Sequence, residues 1–231
     1  MRERLICLAI GYVCGLFQTG FIVGKIKGID IREHGSGNAG TTNILRTMGA
    51  KYAAVVLLGD ALKCGLAIFV VKTLYQNEFG IILELLYLYT SFGVILGHNF
   101  PFYMGFKGGK GIAATAGFII FGLPHIMTLV GIIVFFSIFF LTHYVSLGSI
   151  LLYVSLVVCA VVFKVTDFNG WEEAGLGQLY IEYIIVIVIM MILMLVRHKD
   201  NIKRLISGTE RKTYLRGRPE IDLEKNSRRD M

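Results

Sequence analysis

Long apolar runs separated by short polar segments make up most of this chain. A transmembrane helix needs about 20 apolar residues, and runs near that length cover 4–24, 52–73, 80–97, 112–141, 145–163 and 179–196. The run 112–141 is longer and contains Pro124, which disfavours helical backbone at Leu123. It forms either one kinked helix or two short spans, 112–123 and 125–141. The pattern predicts an all-α integral membrane protein.

Composition supports the membrane class. The 231 residues are 55% hydrophobic and 17% charged, with a mean hydropathy of +0.67, whereas soluble domains carry about 25% charged residues. Basic residues and an apolar run at the start resemble a signal peptide, but no small-residue cleavage pattern follows. We therefore expect 4–24 to remain as the first span. The net charge of +7 does not predict nucleic-acid binding, because no soluble domain is left to carry it.

The distribution of positive charge predicts the topology. Of the 23 Lys and Arg, eleven lie after residue 196, and five lie in residues 25–51. The segment 164–178 has one Lys against three acidic residues. Two spans within 112–141 place both basic segments on one side, as the positive-inside rule requires. We predict a seven-transmembrane-helix bundle with the N-terminus outside and a polar tail, 213–231, in the cytoplasm.

Four polar segments fall on the predicted cytoplasmic face. They are "HGSGNAGTTNILR" (34–46), "GHNFPFYMGFKGGKG" (97–111), "THYVSLGS" (142–149) and "RHKDNIKRLISGTE" (197–210). Their convergence predicts one cytoplasm-facing site beside the lipid.

The first polar segment combines glycines with neutral donors and ends in Arg46, a bidentate donor. Backbone N–H groups and a guanidinium of this kind suit a phosphate, although an ordinary Gly/Ser/Asn turn is the alternative. Gly35, Gly37 and Gly40 have the spacing of a dinucleotide-binding loop, but that loop needs a βαβ unit. Apolar spans flank this segment instead, which excludes the dinucleotide fold.

The second segment places Lys107 and Lys110 among glycines, which suggests a second phosphate grip. A Walker A loop is not predicted, because the spacing is one residue short and Gly111 replaces the Ser or Thr that holds magnesium. A plain basic loop is the alternative. No close His/carboxylate motif is present, so we predict no metal and no cofactor. Asp60 and Lys63, at i and i+3 within an apolar run, predict an intramembrane ion pair near the site.

Three motifs resemble those of the PlsY family, the bacterial acyl-phosphate:glycerol-3-phosphate acyltransferases. They are "SGNAGTTN" followed by Arg46, "GHNFP" leading into "FKGGKG", and "RHKDNIKRLISGTE". The motifs occur in family order, and the resemblance covers residues 1 to about 212. Two positions depart from the family pattern: His143 stands where an Arg is usual, and Cys64 is inserted before Gly65.

The resemblance implies a fold, an activity and a cellular location. A seven-helix bundle in the bacterial plasma membrane, with its active site in the cytoplasm, would form one acyltransferase domain over residues 1–212. It would transfer a fatty acyl group from acyl phosphate to the 1-hydroxyl of sn-glycerol 3-phosphate, giving lysophosphatidic acid and inorganic phosphate, an early step of phospholipid synthesis. A separate enzyme would supply the acyl phosphate.

The resemblance also suggests roles for particular residues. The groups expected at the reacting phosphates are Ser36, Arg46, His98, Lys107 and Lys110. The groups expected to bind or orient the substrates are Gly37, Asn38, Gly40, Thr42, Asn43, Gly108, Gly109, Ser146, His198 and Asn201.

We expect direct displacement without an acyl-enzyme, because acyl phosphate is already activated. The leaving phosphate takes the proton on this hypothesis, and His98 is the competing general base. A covalent Ser36 is a third alternative, without a recognisable base beside it. No Asp lies five residues after any His, which excludes the His/Asp pair of other glycerolipid acyltransferases.

Two rival functions fit less well. A transporter of a phosphorylated solute would need polar groups at both faces and the midplane, whereas the polar segments here are predicted on one face. A phosphatidyl-alcohol transferase would need clustered Asp residues, and those of this chain are scattered.

Overall fold

Helices make up most of the chain in the computed structural model, which describes residues 1–215 and 219–221. Within these ranges no strand is present. The helices are α1 (Arg2–Gly15), α2 (Thr19–Ile26), α3 (Thr41–Met48), α4 (Ala50–Phe79), α5 (Leu83–Asn99), α6 (Ile112–Gly122), α7 (His125–Thr142), α8 (Val145–Thr166), α9 (Gly177–Arg197) and α10 (Lys199–Ile206). Short 3-10 turns cover Ile31–Glu33, Gly80–Ile82 and Phe102–Met104.

In the described part of the chain, five helical stretches are long and apolar enough to cross a membrane: Arg2–Ile26, Ala50–Met104, His125–Thr142, Val145–Thr166 and Gly177–Arg197. Ala50–Met104 contains both α4 and α5, and Ile112–Gly122 is a shorter apolar helix. Large apolar side chains such as Leu58, Leu62 and Leu66 recur one turn apart on the outside of α4 and are more than half exposed. Such a stripe is suited to lipid rather than to water.

Close packing of α1 against α5 positions the first helix. Gly11 and Gly15 on α1 face Gly93 and Gly97 on α5, and a Cβ at any of the four would collide with the backbone of the opposite helix. Small residues spaced four apart let two membrane helices approach until their backbones touch. This contact carries α5, and therefore His98 near its end, to a defined place beside α1.

A short break between α1 and α2 is closed by a buried side chain. The amide of Gln18 is 1% exposed and donates to the carbonyl oxygens of His98 at 3.0 Å and Gly15 at 3.3 Å. These bonds satisfy backbone carbonyls that the interrupted helix and the end of α5 leave free. The break thus ties the N-terminal helices to the end of α5.

The long apolar run 112–141 forms two helices. Leu123 has extended backbone (φ −104°, ψ 153°) directly before Pro124, as the proline ring favours. The eleven residues of α6 rise only about 16 Å, so α6 alone is shorter than a bilayer core. A Cβ on Gly117 would collide with the carbonyl of Ala61, which shows how closely α6 lies against α4.

The segment after α10 lies against the helices. We name residues 209–215 the C-terminal strap. Thr213 N–H donates to the carbonyl of His143 at 2.9 Å, and further on Glu220 N–H donates to the carbonyl of Arg46 at 2.9 Å. The predicted polar tail, 213–231, is therefore hydrogen-bonded to the helices through the backbone of Thr213, Glu220 and Ile221, and only its residues 213–215 and 219–221 are among the described residues.

Candidate active site

A cavity of about 730 Å³ opens where the four polar segments meet. The predicted site residues that line it are Ser36, Asn38, Gly40, Thr42, Asn43, Arg46, His98, Lys110, Ser146, His198 and Asn201. The others lie outside its lining: Gly37, Lys107, Gly108 and Gly109. Convergence of segments far apart in sequence was the main functional expectation, and the cavity lining contains residues from each of them.

The side-chain amide of Asn43 fixes the conformation of the glycine-rich loop. Asn43 is 1% exposed; its Oδ1 accepts the N–H of Ser36 at 2.8 Å, and its Nδ2 donates to the carbonyls of His34 at 3.0 Å and Ile31 at 3.3 Å. Gly35 has φ +59°, and a Cβ there would collide with Oδ1 of Asn43. Asn43 therefore shapes the loop, and its expected role in binding or orienting a substrate stays a prediction.

The loop ends at the N-terminus of α3, which faces the cavity. Gly40 is the N-cap, and Thr41 and Thr42 begin the helix. First-turn N–H groups and the helix dipole favour a phosphate. The hydroxyl oxygen of Thr41 is buried and has no partner among the described residues. Thr41 was not among the predicted site residues, although it lies in the same motif.

Glu210 organises the cationic side of the cavity and was missing from the predicted site. Its Oε1 accepts from Ser146 Oγ at 2.8 Å and Asn201 Nδ2 at 2.6 Å, and its Oε2 accepts from Arg204 Nε at 2.7 Å. Burial raises the pKa of Glu210, but these hydrogen bonds outweigh burial and hold the pKa below its ordinary value. Glu210 is the last residue of "RHKDNIKRLISGTE", so its motif, but not its role, was visible in the sequence.

Lys110 lies in the same network and is hydrogen-bonded to Asn201 Oδ1. Burial lowers the pKa of Lys110 to about 8, and the positive charge of Arg204 adds to the effect. The ammonium is thus charged at neutral pH but loses its proton more readily than an exposed lysine. Lys107, by contrast, is exposed.

His198 offers a neutral ring to the cavity. Its Nδ1 lies 3.0 Å from the carbonyl oxygen of Met194. Because a carbonyl only accepts, Nδ1 carries the proton and Nε2 is an acceptor. Burial, together with the charge of Lys110, lowers the pKa of His198 to about 4.

His98 belongs to a buried cluster with the predicted ion pair. Lys63 Nζ lies 2.8 Å from Asp60 Oδ1, 2.8 Å from His98 Nδ1 and 2.6 Å from the carbonyl of Phe17. Thr19 Oγ1 donates to the same Asp60 oxygen at 2.9 Å. Asp60 and Lys63 are 0% and 6% exposed, so the pair predicted from their spacing is present and buried.

Gly108 and Gly109 lie behind His98 instead of in the cavity wall. A Cβ on Gly108 would collide with the carbonyl of His98, and one on Gly109 would collide with its ring. Arg197 Nη2 donates to the carbonyls of both glycines at 2.9 Å. These glycines therefore let the loop pack on His98, which is a physical reason for their presence other than the phosphate grip that we predicted.

The other end of the cavity is apolar. Its walls come from α4, α6 and α7, through Leu58, Ile119, Ile120, Ile132 and Phe136. Arg46, Lys110 and Arg204 lie at the polar end. A cavity with cations at one end and a hydrocarbon surface at the other suits an amphiphilic anion.

Comparisons with known proteins agree with this geometry. Residues 5–208 match the family described as glycerol-3-phosphate acyltransferase. Relatives with that name include one from Halalkalibacterium halodurans, 42% identical over 209 residues, covering 89% of this chain and 93% of the relative. Another, from Bacillus subtilis, is 38% identical over 206 residues, covering 89% and 95%.

A solved structure has a similar fold. The crystal structure of PlsY, an integral membrane glycerol 3-phosphate acyltransferase, in its glycerol 3-phosphate form has a TM-score of 0.74 and 30% identity, covering 91% of this chain and 96% of that chain. Its lysophosphatidic acid form has a TM-score of 0.69 and 29% identity, covering 92% and 96%. Together with the apolar helices, this similarity identifies a multi-pass membrane protein, and the chain belongs to the PlsY family of glycerol-3-phosphate acyltransferases.

Proposed function

We propose that this protein transfers a fatty acyl group from acyl phosphate to the 1-hydroxyl of sn-glycerol 3-phosphate, giving lysophosphatidic acid and inorganic phosphate. The observation that carries the proposal is the two-ended cavity, in which a cationic end adjoins an apolar groove. Both substrates bring a phosphate to the cationic end, and the fatty chain of the donor lies in the groove. A separate acyl-phosphate-forming enzyme supplies the donor.

The reaction proceeds by direct displacement. The acceptor oxygen attacks the acyl carbon, the bond between that carbon and the phosphate oxygen breaks, and phosphate leaves with the bonding electron pair. Ser36, the first turn of α3, Arg46 and Lys110 hold the phosphates, while Ser146, His198 and Asn201 orient them. Much of the rate enhancement then comes from positioning and from charge stabilisation.

The leaving phosphate is the base on this mechanism. Nζ of Lys63 has four acceptors within 3.4 Å, one of which is Nδ1 of His98. An ammonium cannot accept, so Nδ1 is occupied as an acceptor and the ring proton lies on Nε2. Nε2 packs against Gly109, where a Cβ would collide with it, so neither ring nitrogen is placed to remove a proton, which supports the leaving phosphate as the base.

The membrane topology is also a proposal. We infer seven spans, counting Arg2–Ile26 as one and α4 to α9 as one each, within an acyltransferase domain of residues 1–212. The N-terminus is outside, and the active site faces the cytoplasm of a bacterial cell. The basic segment after residue 196 and the acidic segment 164–178 support this orientation.

Acyl transfer by the purified protein in lipid vesicles tests the function. Palmitoyl phosphate and palmitoyl-CoA are compared as donors to labelled glycerol 3-phosphate. We expect labelled lysophosphatidic acid and released phosphate from palmitoyl phosphate only. Transfer from palmitoyl-CoA would overturn the donor assignment. Entry of labelled glycerol 3-phosphate into the vesicles without transfer would favour the transporter alternative.

A further inference from the structure

The C-terminal strap lies past residue 208, where the family match ends, and it covers the polar end of the cavity. Arg211, Thr213 and Leu215 are part of the cavity lining. Glu210 anchors the strap through the network of Ser146, Asn201 and Arg204, and Thr213 is 2% exposed. The strap residues after Glu210 therefore form a wall of the site that neither the family match nor the third motif includes.

The strap holds Arg46 through one nitrogen. Nη2 of Arg46 donates to Thr213 Oγ1 at 2.6 Å and to the carbonyl oxygen of Arg211 at 3.0 Å. Both N–H groups of that nitrogen are thereby used. Nε of Arg46 is buried without a partner among the described residues.

The choice of nitrogen matters because of the shape of a guanidinium. A phosphate is gripped bidentately by two parallel N–H groups, either from Nε and Nη2 or from Nη1 and Nη2. Nη2 belongs to both pairs. With both of its N–H groups directed at the strap, Arg46 cannot grip a phosphate with two parallel bonds from either edge.

Additional contacts hold the strap in this position. Thr213 N–H donates to the carbonyl of His143 at 2.9 Å, and the rings of Tyr214 and His143 lie 4.7 Å apart. Beyond the strap, Glu220 N–H donates to the carbonyl of Arg46 itself at 2.9 Å. His143, which stands where the family has an Arg, thus contacts the strap and is not part of the cavity lining.

We propose that the C-terminal strap is an internal competitor for Arg46: the hydroxyl of Thr213 and the carbonyl of Arg211 occupy the guanidinium until a substrate phosphate displaces them. Substrate binding then breaks two strap contacts, and product release allows them to form again. The strap lowers the affinity for the phosphate that Arg46 binds. This inference rests on the proposed function, because it assumes that Arg46 binds a substrate phosphate.

Replacement of Thr213 by Val tests the inference, because it removes the hydroxyl and keeps the shape. We expect KM to fall by about ten- to a hundredfold, the scale of one hydrogen bond to a charged group, with kcat near that of the wild type. The substrate whose KM falls, glycerol 3-phosphate or palmitoyl phosphate, is the one whose phosphate Arg46 binds. Thr213→Ser keeps the hydroxyl and should restore the wild-type KM. The matched control is Thr209→Val, which makes the same change at an exposed position of the strap.

Hydrogen exchange of the full-length protein in lipid provides a second measurement, which does not depend on a variant. Saturating glycerol 3-phosphate or palmitoyl phosphate should increase deuterium uptake in residues 209–215, because a strap without its two bonds to Arg46 exposes its remaining backbone bonds, such as that from Thr213 N–H to His143, more often. Slower uptake there, or a raised KM in Thr213→Val, would mean that the strap closes over the substrate and would overturn the proposal. An unchanged KM with normal transfer would overturn it as well, whereas absence of transfer by the wild type would refute the proposed function instead.

Discussion

Nζ of Lys63 lies 2.8 Å from Nδ1 of His98, and both side chains are buried beside the cavity. This contact couples an intramembrane ion pair to a histidine of the site. It also restricts what that histidine can do, because the lysine has no lone pair to offer while it is protonated. With Nε2 packed against Gly109, both ring nitrogens have neighbours within the protein, which leaves proton removal to another group.

The first prediction concerns His98→Gln, whose amide oxygen can still accept from Lys63. We expect a loss of acyl transfer within about tenfold, because loss of a general base costs about 10²- to 10⁴-fold, whereas Gln keeps the acceptor that Lys63 contacts. The kcat of this variant in vesicles, with its thermal unfolding as a check on folding, decides between the two roles. A loss beyond a hundredfold in a folded protein would restore His98 as the base.

A second prediction concerns the dependence on pH. The pKa of Lys110 is lowered to about 8 by burial, so its charge is present below pH 8 and is lost as the pH rises through that value. If the ammonium holds a substrate phosphate, kcat/KM should decline above pH 8, since kcat/KM reports on the free enzyme. Lys110→Arg keeps its charge at high pH, so the decline of kcat/KM above pH 8 should be smaller in this variant. Its kcat/KM at pH 7 can be lower than that of the wild type without affecting this test. If kcat/KM of the arginine variant declined above pH 8 as steeply as that of the wild type, the decline would belong to another group.

Much of the cavity lining was predictable because polar groups are conspicuous in an apolar chain. Ser36, Arg46, Lys110 and Asn201 come from segments that stand out against hydrocarbon, and the charge rule places these segments on one face. The role of Glu210 was not predictable, since a carboxylate among basic residues gives no sign of which donors it will accept from. The packing of the strap is set by contacts such as Thr213 with His143, which no sequence period indicates.

The fold was predictable where the type of residue at one position decides the local structure. It was less predictable where contacts between distant segments decide it. Pro124 marked the break between α6 and α7 through its effect on the preceding residue. The interruption of the first apolar run at Gln18 has no such mark, because the polar side chain is satisfied only by carbonyls at the end of α5. Gly11 and Gly93 lie in small-residue pairs that were visible in the sequence, but only the structure pairs α1 with α5.

Glu210→Gln provides a third prediction. The change removes the negative charge that accepts from Asn201 and Arg204, and hydrogen bonds to charged groups contribute about 1.5–3 kcal/mol each. We expect a lower thermal unfolding temperature and a raised KM for glycerol 3-phosphate. The folded-state pKa of Glu210 lies below its ordinary value, so in the wild type this stabilisation is present above pH 4.5 and is lost as the pH falls through the folded-state pKa. The unfolding temperature of the variant should therefore not show this loss of stabilisation as the pH falls. An equal acid destabilisation of both proteins would mean that another group causes it.

The packing of α1 on α5 leads to a fourth prediction. Gly11→Leu places a side chain where a Cβ alone would collide with the carbonyl of Thr90, so the helices must separate. Overpacking of this kind costs about 1–3 kcal/mol, and more is expected here because backbone cannot move aside as a side chain can. Ala9→Leu on the exposed side of α1 is the matched control. Equal unfolding temperatures for the two variants in the same detergent would show that the close approach is not needed.

The apolar end of the cavity leads to the last prediction, on the length of the acyl chain. Gly131 lines this end, and a Cβ there would lie 3.0 Å from Cδ1 of Leu152, 3.7 Å from Cδ2 of Leu156 and 3.8 Å from Cδ1 of Ile119. All three neighbours are ends of flexible side chains, so Gly131→Leu can fold while it fills part of the groove. Each methylene that loses its apolar surroundings costs about 0.8 kcal/mol, roughly a fourfold loss.

We therefore expect kcat/KM for palmitoyl phosphate to fall well below that for decanoyl phosphate in Gly131→Leu, measured with both donors in the same vesicles. Gly131→Ala adds only one carbon and should keep most of the preference of the wild type. An equal loss for both chain lengths in the leucine variant would place the fatty chain elsewhere, because only a group that shortens the groove discriminates against the longer donor.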